Sequence, residues 1–571
     1  MSASPALLFE SFAVWLRRWT ATNGSLPRVI AVSERVRRSA DLSLRDPVYR
    51  CVAVACLLTA AAHVLPAQRA PRSFVVDEAT ITDIHTAMRE HRITSRQLVD
   101  AYLARIDAFD KAGPRLNALI AVNTDARRLA DSLDAIFTRT GAFVGPLHGI
   151  PVIVKDNIDT RDMATTAGSL ALAGSRPPND AFVIQRMRAA GAIVLAKSNL
   201  PDFASLTFET VSSVLPGYTR NPYDLAVTTA GSSGGTATAI AANFGTVGLG
   251  TDTGNSIRGP AAFLSLVGLR PTVGLVSRAG VVPLDPARDV TGPMTRTVAD
   301  AALLLDVIAG DDPTDTMSAR SQGHIPTGGY HTHLRADALR GARLGVLRQL
   351  SNTATADAEV LRRFDQALLA LRSGGAVLID PASVAGVDAL AQRTPRECRP
   401  FRQALGRYLV SLGPNAPAHS LAEIVASGKV HPSLEDRFKM YRDAPEPETN
   451  PACRRAEQQV AQLREEVLRL LRDQQIDALV YPSWNNAPRL LGDLNTPDGS
   501  NGPRIASVIG FPAITVPMGF VRNATLPVGL EILGAEWSER RLIEIAYGYE
   551  WATHLRRPPR NAPALVARVH P

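Results

Sequence analysis

Residues 228–260 read TTAGSSGGTATAIAANFGTVGLGTDTGNSIRGP, and in them two glycine-bracketed serine clusters enclose an Ala/Val/Ile run. The first cluster is Gly231-Ser232-Ser233-Gly234-Gly235. The second is Gly250-Thr251-Asp252-Thr253-Gly254-Asn255-Ser256. Between them, residues 236–243 read as a buried helix, rich in alanine for close packing, and residues 246–249 as a strand. A helix feeding a strand, with a loop on either side, is the signature of an α/β layer. Glycines placed this way free backbone N–H groups to converge on a negative oxygen, and a serine in such a loop can attack a carbonyl.

The alternation continues outward in both directions. Helical periodicity runs from Thr80 to Phe109, with Thr94 or Ser95 as a cap, and again near 124–138. The β-branched run 149–155 reads as a strand that ends at Lys155. A helix at 181–190 and a strand at 192–197 follow. Beyond the quoted stretch come a helix at 300–310, a strand at 342–347, and a helix at 359–376 leading into a strand at 376–379. A long helix at 453–473 precedes a strand at 476–481. Residues 513–517 and 527–533 read as neighbouring core strands, and 538–555 as the closing helix. This predicts an α/β fold with one domain over 71–571, and no internal repeat is visible. The Pro- and Arg-rich stretch 383–455 breaks the helical pattern and reads as an insertion or cap packed on the core.

A chain of 571 residues with 45% apolar and 20% charged residues has the make-up of a soluble globular protein. Its formal charge of +8 is modest for this length, and its arginines are scattered without interleaved aromatics, so no nucleic-acid partner is expected. Residues 1–70 form an N-terminal extension of different character. Within it the run CVAVACLLTAAAHVL, residues 51–65, is too short for a stable membrane span. With Arg50 before it and Ala67 and Ala70 after it, the run reads as a signal-peptide core, over about residues 48–70, and implies a periplasmic or secreted protein. Residues 1–50 are long for the leading part of a signal, which a translation start near Val48 would resolve. The alternative is an amphipathic or buried N-terminal helix in a cytoplasmic protein. Cys51 and Cys56 fall in this segment, leaving Cys398 and Cys453, which could pair in an oxidising space. No CxxC or HExxH pattern occurs, so neither a metal nor another cofactor is expected.

The segments HGIPVIVKDNIDT (148–160), GSSGGTATAIAA (231–242) and GTDTGNSIRGPAA (250–262) together resemble the core of the amidase signature family. The resemblance runs from about Phe74 to Leu555 and takes in FPAITVP (511–517) and LPVGLEILG (526–534). It implies a central mixed β-sheet flanked by α-helices and a Ser–cis-Ser–Lys chemistry. Carried onto this chain, Ser256 matches the nucleophile, Ser232 the bridging serine with a cis peptide bond, and Lys155 the general base. The backbone N–H groups of Thr253, Gly254, Asn255 and Ser256 match the oxyanion hole.

Elementary chemistry points the same way. An alcohol attacks poorly until something takes its proton. A free lysine has a pKa of about 10.4, so Lys155 serves as a base near neutrality only if burial depresses that value. Lys155 closes an apolar run, where desolvation is expected, with Asp156 beside it as an opposing charge. Asp252 and Arg258 flank the nucleophile and are expected to pair beneath its loop, holding it rigid. Ser233 is expected to bond locally at the helix start, Ser169 to be structural or to line the cleft, and His148 to support a loop. Taken singly, the lysine could be a solvated strand end and GSSGG a flexible turn. The chain departs from the commonest family pattern at Asn255, where glycine usually precedes the nucleophile. Asparagine tolerates unusual backbone angles, and its side chain could narrow the acyl pocket or add a hydrogen bond.

The function this implies is hydrolysis of a small-molecule linear carboxamide, with an apolar or aromatic acyl side, esters as a side activity, and a homodimer as the one assembly considered. The rivals are the glutamine-hydrolysing subunit of an amidotransferase and a non-catalytic binding protein that keeps the fold.

Overall fold

Among the described residues, short β-branched and apolar runs supply eleven strands: β1 (Leu119–Val122), β2 (Pro151–Lys155), β3 (Ile193–Ser198), β4 (Val247–Asp252), β5 (Val267–Arg270), β6 (Val290–Thr295), β7 (Arg343–Val346), β8 (Val377–Ile379), β9 (Ala478–Pro482), β10 (Ala513–Val521) and β11 (Leu526–Leu533). The structure is a computed structural model, and it describes residues 74–390 and 395–565. The expected leader segment and the extension that carries it lie outside the described residues.

The strands form one sheet in the order β1-β3-β2-β4-β6-β5-β10-β11-β9-β7-β8. It is mixed: β2 runs parallel to β3 and β4, and β7 runs parallel to β8 and β9, while the remaining pairs are antiparallel. Every residue of β2, β3 and β4 is buried, which requires helices on both faces and explains why these strands read as continuous apolar runs. The expected core strands at 513–517 and 527–533 are hydrogen-bonded neighbours, β10 and β11. Thr94 rather than Ser95 caps the Ser95–Phe109 helix, in a reciprocal box with Gln97. Among the described residues no helix is long and apolar enough to cross a membrane.

Residues 383–455 hold the helices Phe401–Ser411, Leu421–Ala426 and Glu435–Asp443. Their apolar faces share a core cluster with Ala167, Leu200, Phe203, Val282 and Leu284. Phe203 meets Phe401 and Phe438 edge-on, with ring centroids 6.0 and 5.5 Å apart. Cys398 and Cys453 are joined in a disulfide that closes this segment over 55 residues, with Cα atoms 5.3 Å apart. A loop of that length restricts the unfolded chain by about 4 kcal/mol at room temperature. Cys453→Ser should therefore lower the urea midpoint markedly, and an unchanged midpoint would show that the cross-link adds no stability.

Candidate active site

β2 and β4 are parallel neighbours, with Val154 beside Leu249, so the end of β2 at Lys155 lies against the end of β4. There Lys155 is fully buried. Its Nζ donates to Ser232 Oγ at 2.8 Å and to Thr251 Oγ1 at 2.8 Å, with Thr251 O at 3.4 Å. Asn157 Nδ2 also donates to Thr251 Oγ1, at 3.1 Å, so that hydroxyl receives two donors at once. Among the described residues no carboxylate pairs with Lys155; Asp156, the expected opponent, turns instead to Lys197, 3.1 Å away, and to Thr166. Burial pushes Lys155 down to about 7, with only the charges of Asp252 and Asp289 raising it.

The Gly231–Ser232 peptide bond is cis. A Cβ on Gly231 would lie 2.5 Å from the carbonyl oxygen of Glu209, and one on Gly235 would lie 2.4 Å from that of Asn199. Only glycine lets this loop settle so close to its neighbours. Ser233 does not bond locally at the helix start as expected. Its Oγ reaches across to the carbonyl and N–H of Thr251, at 3.2 and 3.3 Å, stitching the first serine loop to β4.

Past β4 the chain turns through residues 253–257 into the Arg258–Phe263 helix. Ser256 is 2% exposed, and its carbonyl accepts from Ser233 N–H at 3.1 Å, joining the two loops. Its Oγ takes part in no hydrogen bond among the described residues, and so stands free of Ser232 Oγ in this state. Among the described residues, the N–H groups of Thr253, Gly254, Asn255 and Ser256 likewise have no acceptor. Four unspent donors beside a free hydroxyl can receive an oxyanion.

Beneath the loop lies a buried ionic network. Asp252 pairs with Arg258 at 3.2 Å and with Arg270 at 3.0 Å. Arg258 also meets Glu531 and donates to the Gly254 carbonyl at 3.1 Å, while Tyr481 donates to Glu531 at 3.0 Å. Burial alone would raise Asp252, but the two guanidiniums outweigh it and hold the carboxyl at about 2. With every member fully buried, removing one charge would strand its partner.

Asn255 is fully buried and its backbone stays outside the left-handed region, so the loop makes no use of asparagine's tolerance there. Its Nδ2 donates to Ser500 Oγ at 3.0 Å. A Cβ on Gly502 would lie 2.0 Å from Asn255 Oδ1, so the side chain packs against the 499–503 turn. Ser169 caps a short 3₁₀ turn, accepting from Ala171 N–H at 3.3 Å. His148 Nδ1 accepts from Val144 N–H at 3.2 Å and holds a loop. Thr251, Asn157, Arg270, Glu531, Tyr481 and Asp289 were not singled out by sequence. Thr251, which directly precedes Asp252 in the second cluster, and Asn157, two residues after Lys155, carried a local signal.

A sequence model described as Amidase matches residues 97–543. A probable amidase of Arabidopsis thaliana is 35% identical over 511 residues, covering 86% of this chain and 93% of that protein. One subunit of the glutamyl-tRNA(Gln) amidotransferase of Synechococcus sp. (strain JA-2-3B'a(2-13)) is 34% identical, covering 85% and 95%. Among solved structures, native peptide amidase from Stenotrophomonas maltophilia superposes with a TM-score of 0.77 at 38% identity, covering 84% of this chain and 98% of that one.

Proposed function

The chain belongs to the amidase signature family, and from that premise we propose that it hydrolyses linear carboxamides through an acyl-enzyme on Ser256. The observation that carries this reading is the 2.8 Å contact between Ser232 Oγ and a fully buried Lys155 that has no carboxylate partner among the described residues. A lysine in that setting is neutral for part of the time near pH 7 and can accept a proton.

As substrate enters, Ser256 Oγ closes on Ser232 Oγ; catalytic hydrogen bonds commonly tighten only in the complex. Ser256 attacks the amide carbon, its proton passes to Ser232, and the Ser232 proton passes to Lys155. The carbonyl electron pair moves to oxygen, which the N–H groups of residues 253–256 stabilise by about 3 kcal/mol per donor. Collapse breaks the C–N bond, and the proton returns from Lys155 through Ser232 to the departing nitrogen. Water then repeats the sequence, releasing the acid and restoring Ser256. An ester would follow the same course with an alcohol leaving.

The likeness to the Stenotrophomonas peptide amidase makes peptide amides the substrate class proposed first. A panel of N-acylated peptide amides, N-alkyl amides, matching esters and free glutamine, scored by kcat/KM, tests this. Peptide amides should rank highest. Turnover of glutamine alone would shift the reading to the glutamine-hydrolysing part of an amidotransferase, and turnover of nothing in the panel would leave the fold without the chemistry.

A further inference from the structure

β4 and β6 are antiparallel, with Gly250 opposite Gly292, Thr251 opposite Thr291 and Asp252 opposite Val290. The next pair in that register is Thr253 opposite Asp289, just past the end of both strands. Thr253 Oγ1 donates to Asp289 Oδ1 at 2.5 Å. Asp289 Oδ2 accepts from the N–H groups of Leu284 and Asp285, at 2.8 and 2.9 Å. One buried carboxylate therefore gathers the first residue of the oxyanion loop, the end of β6 and the 284–285 turn. The turn is anchored in its own right: the Asp285 carboxylate lies 3.6 Å from both Arg288 and Arg399, the second of which adjoins the cross-linked Cys398.

We infer that Asp289 is a positioning residue, which holds Thr253 so that the loop's N–H groups converge on the developing oxyanion. This rests on the reading of Ser256 as nucleophile. Thr253 opens the loop, and Arg258 holds the carbonyl of Gly254, so the loop's first two peptide units are fixed from two sides. Without the Asp289 contact Thr253 is free to turn, and a displacement of about 1 Å in such donors can cost ~10²-fold in rate.

Asp289 faces the cations of Lys155, Arg270, Arg278, Arg288 and Arg399 and the carboxylate of Asp285. Burial and Asp285 push it up to about 6, so it is ionised at pH 8 and accepts all three hydrogen bonds there. Its charge raises the Lys155 pKa, so its removal lowers that pKa.

The test uses the full chain and a peptide amide at pH 8, with Asp289→Asn, Thr253→Val, Thr253→Ser and the double variant Asp289→Asn/Thr253→Val. Asp289→Asn and Thr253→Val should each lower kcat by about tenfold or more with KM changed less than about twofold. Thr253→Ser keeps the hydroxyl and should recover most of the kcat that Thr253→Val loses. The double variant should be no worse than the poorer single, because Asp289→Asn already disturbs the hydroxyl contact that Thr253→Val removes. In Asp289→Asn the acidic limb of the pH–rate profile should move to lower pH, and in Thr253→Val it should not. If Asp289→Asn does not fold, Thr253→Val and Thr253→Ser carry the test. Near-parental kcat in Thr253→Val, or losses that multiply in the double variant, would overturn the inference. Stoichiometric labelling of the variants by a fluorophosphonate at Ser256 separates this from the nucleophile assignment. Failure of the parent to label would count against Ser256 itself.

Discussion

Replacing Ser256 by alanine is expected to lower kcat for a peptide amide by on the order of 10⁵-fold, because no attacking atom remains. The fold should survive. Ser256 Oγ makes no hydrogen bond among the described residues, and the contact that joins the two serine loops runs through its backbone carbonyl. Loss of the hydroxyl should change the unfolding free energy by less than about 1 kcal/mol. Steady-state kinetics beside urea denaturation checks both halves. A variant with near-parental turnover would move the nucleophile elsewhere. A variant that unfolds would make the kinetic loss uninformative, and Ser256→Gly or Ser256→Cys would then take its place.

The second large effect is at Lys155. Lys155→Met keeps the apolar stem and removes the base, with an expected loss of on the order of 10³- to 10⁴-fold in kcat/KM. The pH dependence gives a sharper check. Burial has lowered Lys155 to about 7, and the base must be neutral to act. In the parent enzyme kcat/KM should therefore rise with pH through about 7 and then level off, falling about tenfold per unit on the acid side. The residual activity of Lys155→Met should lack that limb. A limb still centred near 7 in the variant would assign the titration to another group. The rate falls on acidification because Lys155 takes up a proton that blocks its access to Ser232.

Much of the site was legible because its chemistry sits in contiguous segments. Residues 149–155 read as a strand ending in lysine, and the burial expected of that strand is complete in β2. The helix and strand between the serine clusters appear as Gly234–Ala241 and β4, because their alanines and β-branched residues have no polar face to leave exposed. β5 and β6 escaped notice for physical reasons. VGLR is only four residues long, and VTGPMT carries a glycine and a proline, which weaken a strand signal. Missing β6 also meant missing Asp289, since only the β4–β6 register brings residue 289 to residue 253. Arg270 and Glu531 are likewise remote in sequence from Asp252 and Arg258, and no local pattern announces a buried ionic network.

Neighbours in sequence misled in two places. Asp156 is adjacent to Lys155, yet it stands in the turn that follows β2, where it pairs with Lys197. Ser233 caps nothing, because its hydroxyl is spent on Thr251. Asn255, expected to tolerate unusual backbone angles and to narrow the acyl pocket or add a hydrogen bond, does add one, to Ser500, and packs against the 499–503 turn.

The most direct test of a serine-bound acyl-enzyme is the site of covalent capture. The full chain, incubated with a fluorophosphonate or a slowly hydrolysed activated ester, is digested and the modified peptide sequenced by mass spectrometry. One adduct per chain on Ser256, absent from Ser256→Ala and slowed in Lys155→Met, is the predicted result. An adduct on Ser232 or Ser233, or capture that persists in Ser256→Ala, would contradict it.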